Sequence, residues 1–313
     1  MTIKLAHKNS LRLTCIPIAF SGMISFAPSA AEAKSSLPIA FEIGAGVEHD
    51  SNVSVDEIDQ NTKESDSLVV LDLSVELESD LSENTSISVG YDLSQNWHSE
   101  FSAFDTQTHR GTAAIDHDWG PVSTGLSYIV ARSNLDGAGF LTLQRVTPSL
   151  SGPLGESIYL RGSYDYTDKE FDNRPGRDAT SHAGGITAFF FLDGTKTFLS
   201  SGYKYKDEDA VDPIYDYESH TYRLKFSHDF ELANRTLDFS IGWRYEDRKY
   251  ASTDPTIGEE RHDERHRLSA ALEIPVGETF FVELEYGYDD YTSNLDTADY
   301  SQNTAALRLG ARF

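Results

Sequence analysis

The sequence has very little cysteine. Only Cys15 occurs among its 313 residues, which excludes a scaffold of disulfide bonds and a cysteine-ligated metal centre. Histidine-glutamate zinc motifs and glycine-rich nucleotide loops are missing as well. These absences predict a protein that uses no cofactor.

Long apolar runs are also scarce. Outside the N-terminus no stretch reaches the eighteen or so apolar residues that a membrane-spanning helix needs. The mean hydropathy is -0.43 and 25% of the residues are charged. A helical membrane protein is therefore excluded, whereas membrane-spanning strands need only alternating apolar positions over about ten residues.

Positive charge is the third shortage. Lysine and arginine number 26 against 51 aspartates and glutamates, which gives a formal net charge of -25. A chain with this charge repels phosphate backbones, so we predict no nucleic-acid partner.

The N-terminus has the features of a secretory signal peptide. Lys4, Lys8 and Arg12 precede a short apolar core at residues 15–27, and the small-residue triplet at 31–33 offers a cleavage site. We predict a signal peptide over residues 1–33 and one outer-membrane β-barrel domain over 34–313. A short buried helix is the alternative.

The rest of the chain repeats one pattern, in which every second residue is apolar over about ten positions. Between Val69 and Leu77, for example, every odd position is apolar, and the even positions include Asp72 and Glu76. Fourteen strands are predicted in this way, over residues 38–48, 67–78, 85–97, 107–119, 121–133, 139–150, 157–167, 178–192, 196–206, 217–229, 236–247, 264–275, 279–291 and 300–313.

Short connections between these strands alternate with long, polar ones. The predicted long connections lie at residues 48–66, 98–106, 168–177, 207–216, 248–263 and 289–299. This rhythm predicts an all-β fold, a transmembrane antiparallel up-and-down barrel of about fourteen strands with short periplasmic turns and long extracellular loops. A soluble sandwich has no reason to keep it. The expected location is the outer membrane of a Gram-negative cell.

The last strand places Ala305, Leu307, Leu309 and Phe313 on one face. This ending resembles the C-terminal signal that outer-membrane barrels present to their insertion machinery, with Phe313 as its last residue. The predicted partners are therefore the barrel-insertion machinery, outer-membrane lipid and lipopolysaccharide.

The polar face of the strands is predicted to line the lumen. A barrel of this size is too wide for side chains to fill with an apolar core, so we expect water or a plug inside it. Acidic residues dominate this face on the early strands and basic residues on the later ones. The candidate pore-lining residues are Arg161, Arg223, Lys225, Arg244, Arg265, Arg267, Glu283, Glu285, Arg308, Arg312, Asp72, Glu76 and Asp92.

Two interpretations of these charges stay open. In the first, Glu283 and Glu285 form cross-strand ion pairs with Arg265 and Arg267 on one side, and with Arg308 and Arg312 on the other. In the second, the acidic and basic strands create a transverse field that orients polar solutes in a water-filled pore.

The predicted extracellular loops are rich in carboxylates, above all residues 48–66. We expect these side chains to be solvated. Divalent cations shared with lipopolysaccharide are the alternative, although the spacing of a calcium-binding loop is absent.

No catalytic constellation is evident. An outer-membrane lipase would need serine, histidine and an orienting group together, and the one approach to this is His49-Asp50-Ser51 at the edge of a loop. We predict that the protein is not an enzyme and that it binds no metal.

Three stretches resemble a family of outer-membrane barrels that includes the C-terminal domain of surface lipoprotein assembly modifiers. They are AGVEHDSNV at 45–53, GSYDYTDKEFDNRPGRDATSHAGG at 162–185 and YGYDDYTSNLDTADYSQNTAALRLGARF at 286–313. The resemblance covers most of residues 38–313 and implies a barrel of similar strand number. Family members that export lipoproteins also carry an N-terminal helical repeat domain. We expect the barrel alone here, because it begins a few residues after the predicted cleavage site.

The functional hypothesis is a passive pore, or a transport or export channel, that passes a polar solute or an exported substrate along a charged lumen. The alternative is a structural or surface-interaction barrel whose lumen is closed by salt bridges.

Overall fold

The computed structural model describes residues 39–313, so the predicted signal peptide lies outside the described residues. The strands, numbered in chain order, are β1 (Ile39–Asp50), β2 (Ser54–Val55), β3 (Gln60–Asn61), β4 (Asp66–Ser82), β5 (Thr85–His98), β6 (Thr106–Asp118), β7 (Ser123–Leu135), β8 (Ala138–Pro153), β9 (Ile158–Phe171), β10 (Ala179–Asp193), β11 (Thr197–Ala210), β12 (Tyr217–Leu232), β13 (Arg235–Asp254), β14 (Glu259–Val276), β15 (Phe280–Ser293) and β16 (Tyr300–Arg312). Single turns of 3₁₀ helix lie at Asp56–Ile58, Ser102–Phe104, Pro175–Arg177 and Pro213–Tyr215. Over the described residues, no helix has the length and apolar character needed to cross a bilayer.

Fourteen of these strands form a closed antiparallel barrel. Each strand from β4 to β15 pairs with the strand that follows it in the chain. The ring is closed by β1, which pairs with both β4 and β16. The short strands β2 and β3 pair only with each other, in the connection between β1 and β4. The predicted fold class is confirmed.

All fourteen predicted strands are present, and several extend further toward the extracellular rim than predicted. The predicted connection 248–263 is mostly strand, because β13 runs to Asp254 and β14 starts at Glu259. The backbone ladder continues there although the apolar alternation has ended, since a strand above the bilayer needs no apolar face. Between β7 and β8 the connection is only Asp136 and Gly137, both with positive φ, which is a tight hairpin turn.

A bulge in β8 interrupts the alternation of inward and outward side chains within predicted strand 139–150. Ser133 pairs with Leu141 and Asn134 pairs with Gly139, so Phe140 is an extra residue in the ladder. As a result the neighbours Phe140 and Leu141 are both buried.

The outward face of the barrel is apolar and exposed, as lipid requires. Val47, Val69, Ile186, Leu284 and Leu309 are among the exposed apolar residues of this face. The buried side chains of the opposite, inward face are mostly polar or charged, and include Glu48, Asp165, Glu246 and Arg308.

Six tyrosines form a ring on the outward face. Each of six successive hairpins contributes one outward tyrosine, whose hydroxyl forms a hydrogen bond of 2.5–2.8 Å with a polar side chain on the next strand. In each case the polar residue comes two positions before the residue that pairs with the tyrosine in the strand register. The pairs are Tyr91–His109, Tyr128–Gln144, Tyr164–His182, Tyr203–His220, Tyr245–Glu264 and Tyr286–Asn303. A ring of amphipathic aromatics is typical of the membrane interface, so the ring indicates the outer edge of the apolar belt.

Candidate functional site

The connection between β1 and β4 folds into the barrel instead of away from it. We call its residues 51–65 the inner loop. Ile58 of the inner loop joins an apolar cluster with Leu141 of β8, while Asp59 binds Arg261 of β14. Because β8 and β14 are six places apart in a ring of fourteen, the inner loop crosses most of the lumen.

The base of the inner loop is fixed to β16. The Ser51 amide donates to the Asn303 carbonyl over 2.9 Å, and the Ser54 hydroxyl donates to the Gln302 side chain over 3.1 Å. Within the loop, β2 and β3 form a small hairpin, and a left-handed residue, Asp59, ends the 3₁₀ turn at Asp56–Ile58. The tip of the loop is therefore an ordered structure.

Two aspartates of the inner loop bind the barrel wall directly. Asp59 accepts from Arg177 and from Arg261, each over 2.7 Å, and both Asp59 and Arg261 are buried. Asp56 accepts from the Tyr291 hydroxyl over 2.8 Å and also from the Tyr300 hydroxyl. These charge-assisted bonds are the stronger kind of hydrogen bond.

Apolar contacts complete the attachment on the opposite side. Val55 and Ile58 are buried against Phe140, Leu141 and Phe171 of β8 and β9. The bulge at Phe140 places two neighbouring side chains in this cluster. The inner loop thus has an ionic contact with one wall and an apolar contact with another.

Two acidic side chains of the inner loop, Asp59 and Glu57, have pKa values that are shifted in opposite directions. Burial tends to raise the pKa of Asp59, but the side chains of Arg261 and Arg177 outweigh it and hold that pKa well below its ordinary value. Glu57 has no such match: burial, with the neighbouring charge of Asp56, raises its pKa to about 7.

The expectation that the carboxylates of residues 48–66 are solvated is therefore wrong for most of them. Asp56 and Asp59 bind the wall, Glu48 is buried beside Arg308, and Asp50 accepts from Gln302 over 2.7 Å. Glu64 is the exposed member of the group. Its side chain has the environment that we expected for all of them.

At the extracellular end of the later strands, the ion-paired cations of the inward face outnumber the barrel carboxylates that pair with them. We call the ion-paired cations of this part of the inward face, together with Arg177 of the connection between β9 and β10, the basic wall. Its members are Lys169, Arg177, Lys206, Arg244, Arg248, Arg261, Arg265 and Arg267. The carboxylates of the barrel that pair with them are Glu208, Glu246, Asp263 and Asp289.

Three arginines face one another across consecutive strands. In the strand register Arg223 of β12 stands opposite Arg244 of β13, and Arg244 stands opposite Arg267 of β14. We call these three the arginine row. Like charges directly opposite on a sheet are destabilising. The repulsion within this row must therefore be offset by nearby carboxylates or by other anions in the lumen.

Tyrosines hold several of these cations in place. The guanidinium of Arg261 lies 4.6 Å from the ring centre of Tyr250, and that of Arg265 lies 4.7 Å from Tyr291. Arg248 stacks 4.3 Å from Tyr217. Because these rings belong to the barrel strands, they orient the arginines independently of the inner loop.

A second network joins the early and late strands at the closure of the barrel. Arg308 binds Glu48 over 3.4 Å, Asp72 over 3.6 Å and also Glu285. Gly46 permits this arrangement, because a side chain there would collide with Arg308.

The same kind of network lies nearer the periplasmic end. Arg312 binds Glu42 over 2.6 Å and Glu273 over 2.7 Å. On the early strands, Asp92 accepts from Arg110 over 2.9 Å.

The sequence-based pairing of these charges is confirmed in part. Glu285 pairs with Arg308 as predicted, and Glu283 faces Arg308 in the strand register. The predicted pairing of Glu283 and Glu285 with Arg265 and Arg267 is wrong. Those two arginines bind carboxylates at the extracellular end, Asp263 over 3.2 Å and Asp289 over 2.5 Å.

The remaining candidates lie on the inward phase of their strands. Arg161 donates to the Ser149 hydroxyl over 3.2 Å, while Lys225 and Glu76 alternate with outward apolar neighbours. Their roles as pore-lining residues stay predictions. Sequence reasoning missed Asp56, Asp59, Arg177 and Arg261, which form the strongest contacts of the site.

Phe313 lies at the periplasmic rim with 70% of its surface exposed. Its backbone pairs with that of Phe41 of β1, and the two rings are 6.0 Å apart. The role of Phe313 as an insertion signal stays a prediction.

The His49-Asp50-Ser51 segment has no catalytic geometry in the described barrel. His49 lies 3.3 Å from the Ser67 hydroxyl, and the Ser51 hydroxyl accepts from the Asn303 amide over 2.7 Å. Over residues 39–313, no three potential ligands are grouped so as to hold a metal ion.

The sequence profile of one protein family, described as surface lipoprotein assembly modifier, matches residues 41–313 of the chain. The chain belongs to this family. The match covers the whole described barrel from the third residue of β1 onward, and it confirms the resemblance seen in the sequence. A search of the curated proteins found no match to this chain.

Solved structures with the same fold are outer-membrane barrels. An anion-selective porin from Comamonas acidovorans has 9% sequence identity and a TM-score of 0.52, over 90% of this chain and 100% of that one. CdiB from Acinetobacter baumannii has 9% identity and a TM-score of 0.49 over 88% of this chain, which spans 60% of the CdiB chain. At this identity the likeness concerns the fold alone. The protein is an outer-membrane β-barrel in a lipid environment.

Proposed function

We propose that the barrel is a channel for a polar solute or an exported polar substrate, and that the inner loop is its constriction. The observation that carries this proposal is that the inner loop contacts β8 through Ile58 and β14 through Asp59, on nearly opposite sides of the lumen. A lumen of fourteen strands has room for water beside such a loop. The candidate residues predicted from the sequence would then line the route below the constriction.

The way the inner loop is attached supports a movable constriction. The bonds of Asp56 and Asp59 join side chains only, and none of them belongs to the strand ladder. The barrel is closed by the pairing of β1 with β16, which does not involve the loop tip. The loop can therefore leave the wall without opening the ring.

Single-channel recordings in a planar bilayer test the proposal. We expect a steady conductance from the wild-type barrel, and a larger one when Asp56→Asn and Asp59→Asn are combined. Glu64→Gln is the matched control, since it removes an exposed carboxylate from the same loop and should leave the conductance unchanged. Arg265→Glu with Arg267→Glu should shift ion selectivity toward cations, because it reverses the charge of the lining. Silent bilayers from both the wild-type and the loop-variant barrels would refute the channel.

A closed structural or surface-interaction barrel is the second candidate. The observation that favours it is the pairing of Arg308 and Arg312 with carboxylates on both sides of the closure between β16 and β1. These pairs hold the ends of the sheet together. In this case the same recordings would show no conductance, and charge reversal in the basic wall would change only stability.

We propose further that the barrel has no catalytic role. The contacts of His49 and Ser51 go to separate partners, as described above. Lipid hydrolysis by purified barrel that is lost on Ser51→Ala would contradict this proposal.

A further inference from the structure

We infer that the basic wall is a binding site for an acidic peptide segment, and that the inner loop occupies this site as a built-in substitute for it. This inference rests on the proposed function in one respect, that the inner loop can leave the wall. It adds the chemical class of the substrate. Four observations support it.

The first observation is the charge balance. Seven of the eight cations of the basic wall pair with only four carboxylates of the barrel, Glu208, Glu246, Asp263 and Asp289, and the eighth, Arg177, pairs with Asp59 of the inner loop. The inner loop brings three acidic side chains to this place, Asp56, Glu57 and Asp59. Removal of the loop would take away the ion-pair partner of Arg177 and would leave Glu208, Glu246 and Asp263 each shared between two cations, which favours another anionic occupant.

The second observation is the arginine row. Arg223, Arg244 and Arg267 face one another on three consecutive strands, where the barrel alone would gain from alternating charges. Residues at such positions are free of lipid contact, so sheet packing does not require arginine there. An anionic ligand lying across the three strands gives a physical reason for the row.

The third observation is how the inner loop binds. Asp56 opens the 3₁₀ turn and Asp59 is the left-handed residue that ends it, so the two carboxylates lie at the two ends of one short turn. One carboxylate takes two guanidinium donors and the other takes two tyrosine hydroxyls. This is the arrangement of a ligand with a short repeat of carboxylates, and the occupant that the structure presents is itself an acidic peptide.

The fourth observation is that several cations of the site are held by residues of the barrel itself. Arg248, Arg261 and Arg265 stack on Tyr217, Tyr250 and Tyr291 respectively, and all six residues belong to barrel strands. We therefore expect these arginines to keep their orientation when an occupant leaves. A preorganised site loses less entropy when it binds a new ligand.

The test uses the inner loop's own sequence as the probe. A fluorescently labelled peptide VSVDEIDQN, which is residues 53–61, is titrated against the purified barrel in detergent, and binding is followed by polarisation. We expect the barrel with Asp56→Asn and Asp59→Asn to bind this peptide at least about tenfold more tightly than the wild type, because its own loop no longer competes. The peptide VSVNQINQN, with the three acids neutralised, is the matched control and should not bind.

Two further arms keep the inference falsifiable. Adding Arg244→Gln to the loop variant should weaken peptide binding, with folding checked by heat-dependent gel mobility. Lys206→Gln serves as a second variant in case Arg244→Gln does not fold, because Glu208 keeps Lys169 as its partner. Binding should also fall steeply as salt rises. If the loop variant binds the acidic and neutral peptides equally, or binds neither, the inference is wrong. If it binds polyphosphate but no acidic peptide, the assigned substrate class is wrong.

Conductance separates this inference from the proposed function. Peptide binding by a barrel that conducts no ions would support the site and refute the channel. Conduction without peptide binding in any variant would support the channel and refute the site.

Discussion

Replacing Asp59 by asparagine should detach the inner loop from the basic wall. The Asp59 carboxylate accepts from Arg177 and Arg261 over 2.7 Å each, and the Arg261 side chain is only 3% exposed. Removing one member of a buried ion pair costs about 3–5 kcal/mol. Because asparagine keeps one acceptor oxygen, we take the lower value of about 3 kcal/mol, which corresponds to an increase of about 100-fold in the population of the detached loop.

Cysteine labelling measures this population. Val55 is 7% exposed and packs in the apolar cluster, and Val55→Cys replaces it with another small apolar side chain. The predicted mature chain has no other cysteine. On intact cells, a membrane-impermeant maleimide should then label Cys at this position about 100-fold faster when Asp59→Asn is also present.

The control and the refuting result follow from the same structure. Glu64→Gln removes an exposed carboxylate from the same loop, and such a surface change alters stability by at most about 0.5 kcal/mol, so labelling should change by about twofold or less. The free energy of unfolding should fall by at most about 3 kcal/mol for Asp59→Asn and by at most about 0.5 kcal/mol for Glu64→Gln, because neither change touches the strand ladder. Equal labelling rates in the Asp59→Asn and Glu64→Gln proteins would refute the inward attachment of the loop.

Four other changes test the remaining contacts. Glu57, with its pKa raised to about 7 in the docked loop, favours docking below its ordinary value of 4.5 and loses that contribution as pH rises through 7. Relative to a free thiol at the same pH, which corrects for thiol ionisation, labelling should therefore be slower at pH 5 than at pH 8 by a factor that corresponds to at most about 3 kcal/mol, and Glu57→Gln should remove this corrected difference. Arg308→Met should lower the free energy of unfolding by about 3–5 kcal/mol in a urea titration, because it leaves buried carboxylates unpaired, whereas Arg132→Ala, which breaks an exposed pair, should lower it by less than about 1 kcal/mol. Tyr203→Phe should lower it by about 1 kcal/mol through the lost hydrogen bond of the outward ring. Phe313→Ser should reduce the amount of folded barrel in outer-membrane fractions, if the terminal residue serves insertion.

Strand β14 illustrates how far the sequence predicts the site. Its predicted span of 264–275 has the correct phase, so Arg265 and Arg267 do lie on the inward face. Arg261 was placed in a connection, because His262 and Glu264 interrupt the apolar alternation that marks a membrane strand. A signal was present nevertheless, since Arg261, Arg265 and Arg267 share one parity along the chain.

The inner loop shows where sequence reasoning ends. An acidic connection that binds a wall has the same composition as one that is solvated, and the buried Asp59 has no local mark that separates it from the exposed Glu64. Its partner Arg261 is 202 positions away along the chain. No periodicity connects the two residues.

The sequence by itself determined the barrel, the phase of the strands other than β8 and the sign of the charges on the inward face. These properties are local, because the pleat of a strand sends successive side chains to opposite faces whatever lies beyond it. The tertiary structure alone decided which charges meet. Closure of β1 on β16 brings β8 and β14 to nearly opposite sides of one lumen, and only there can a single short loop reach both of them.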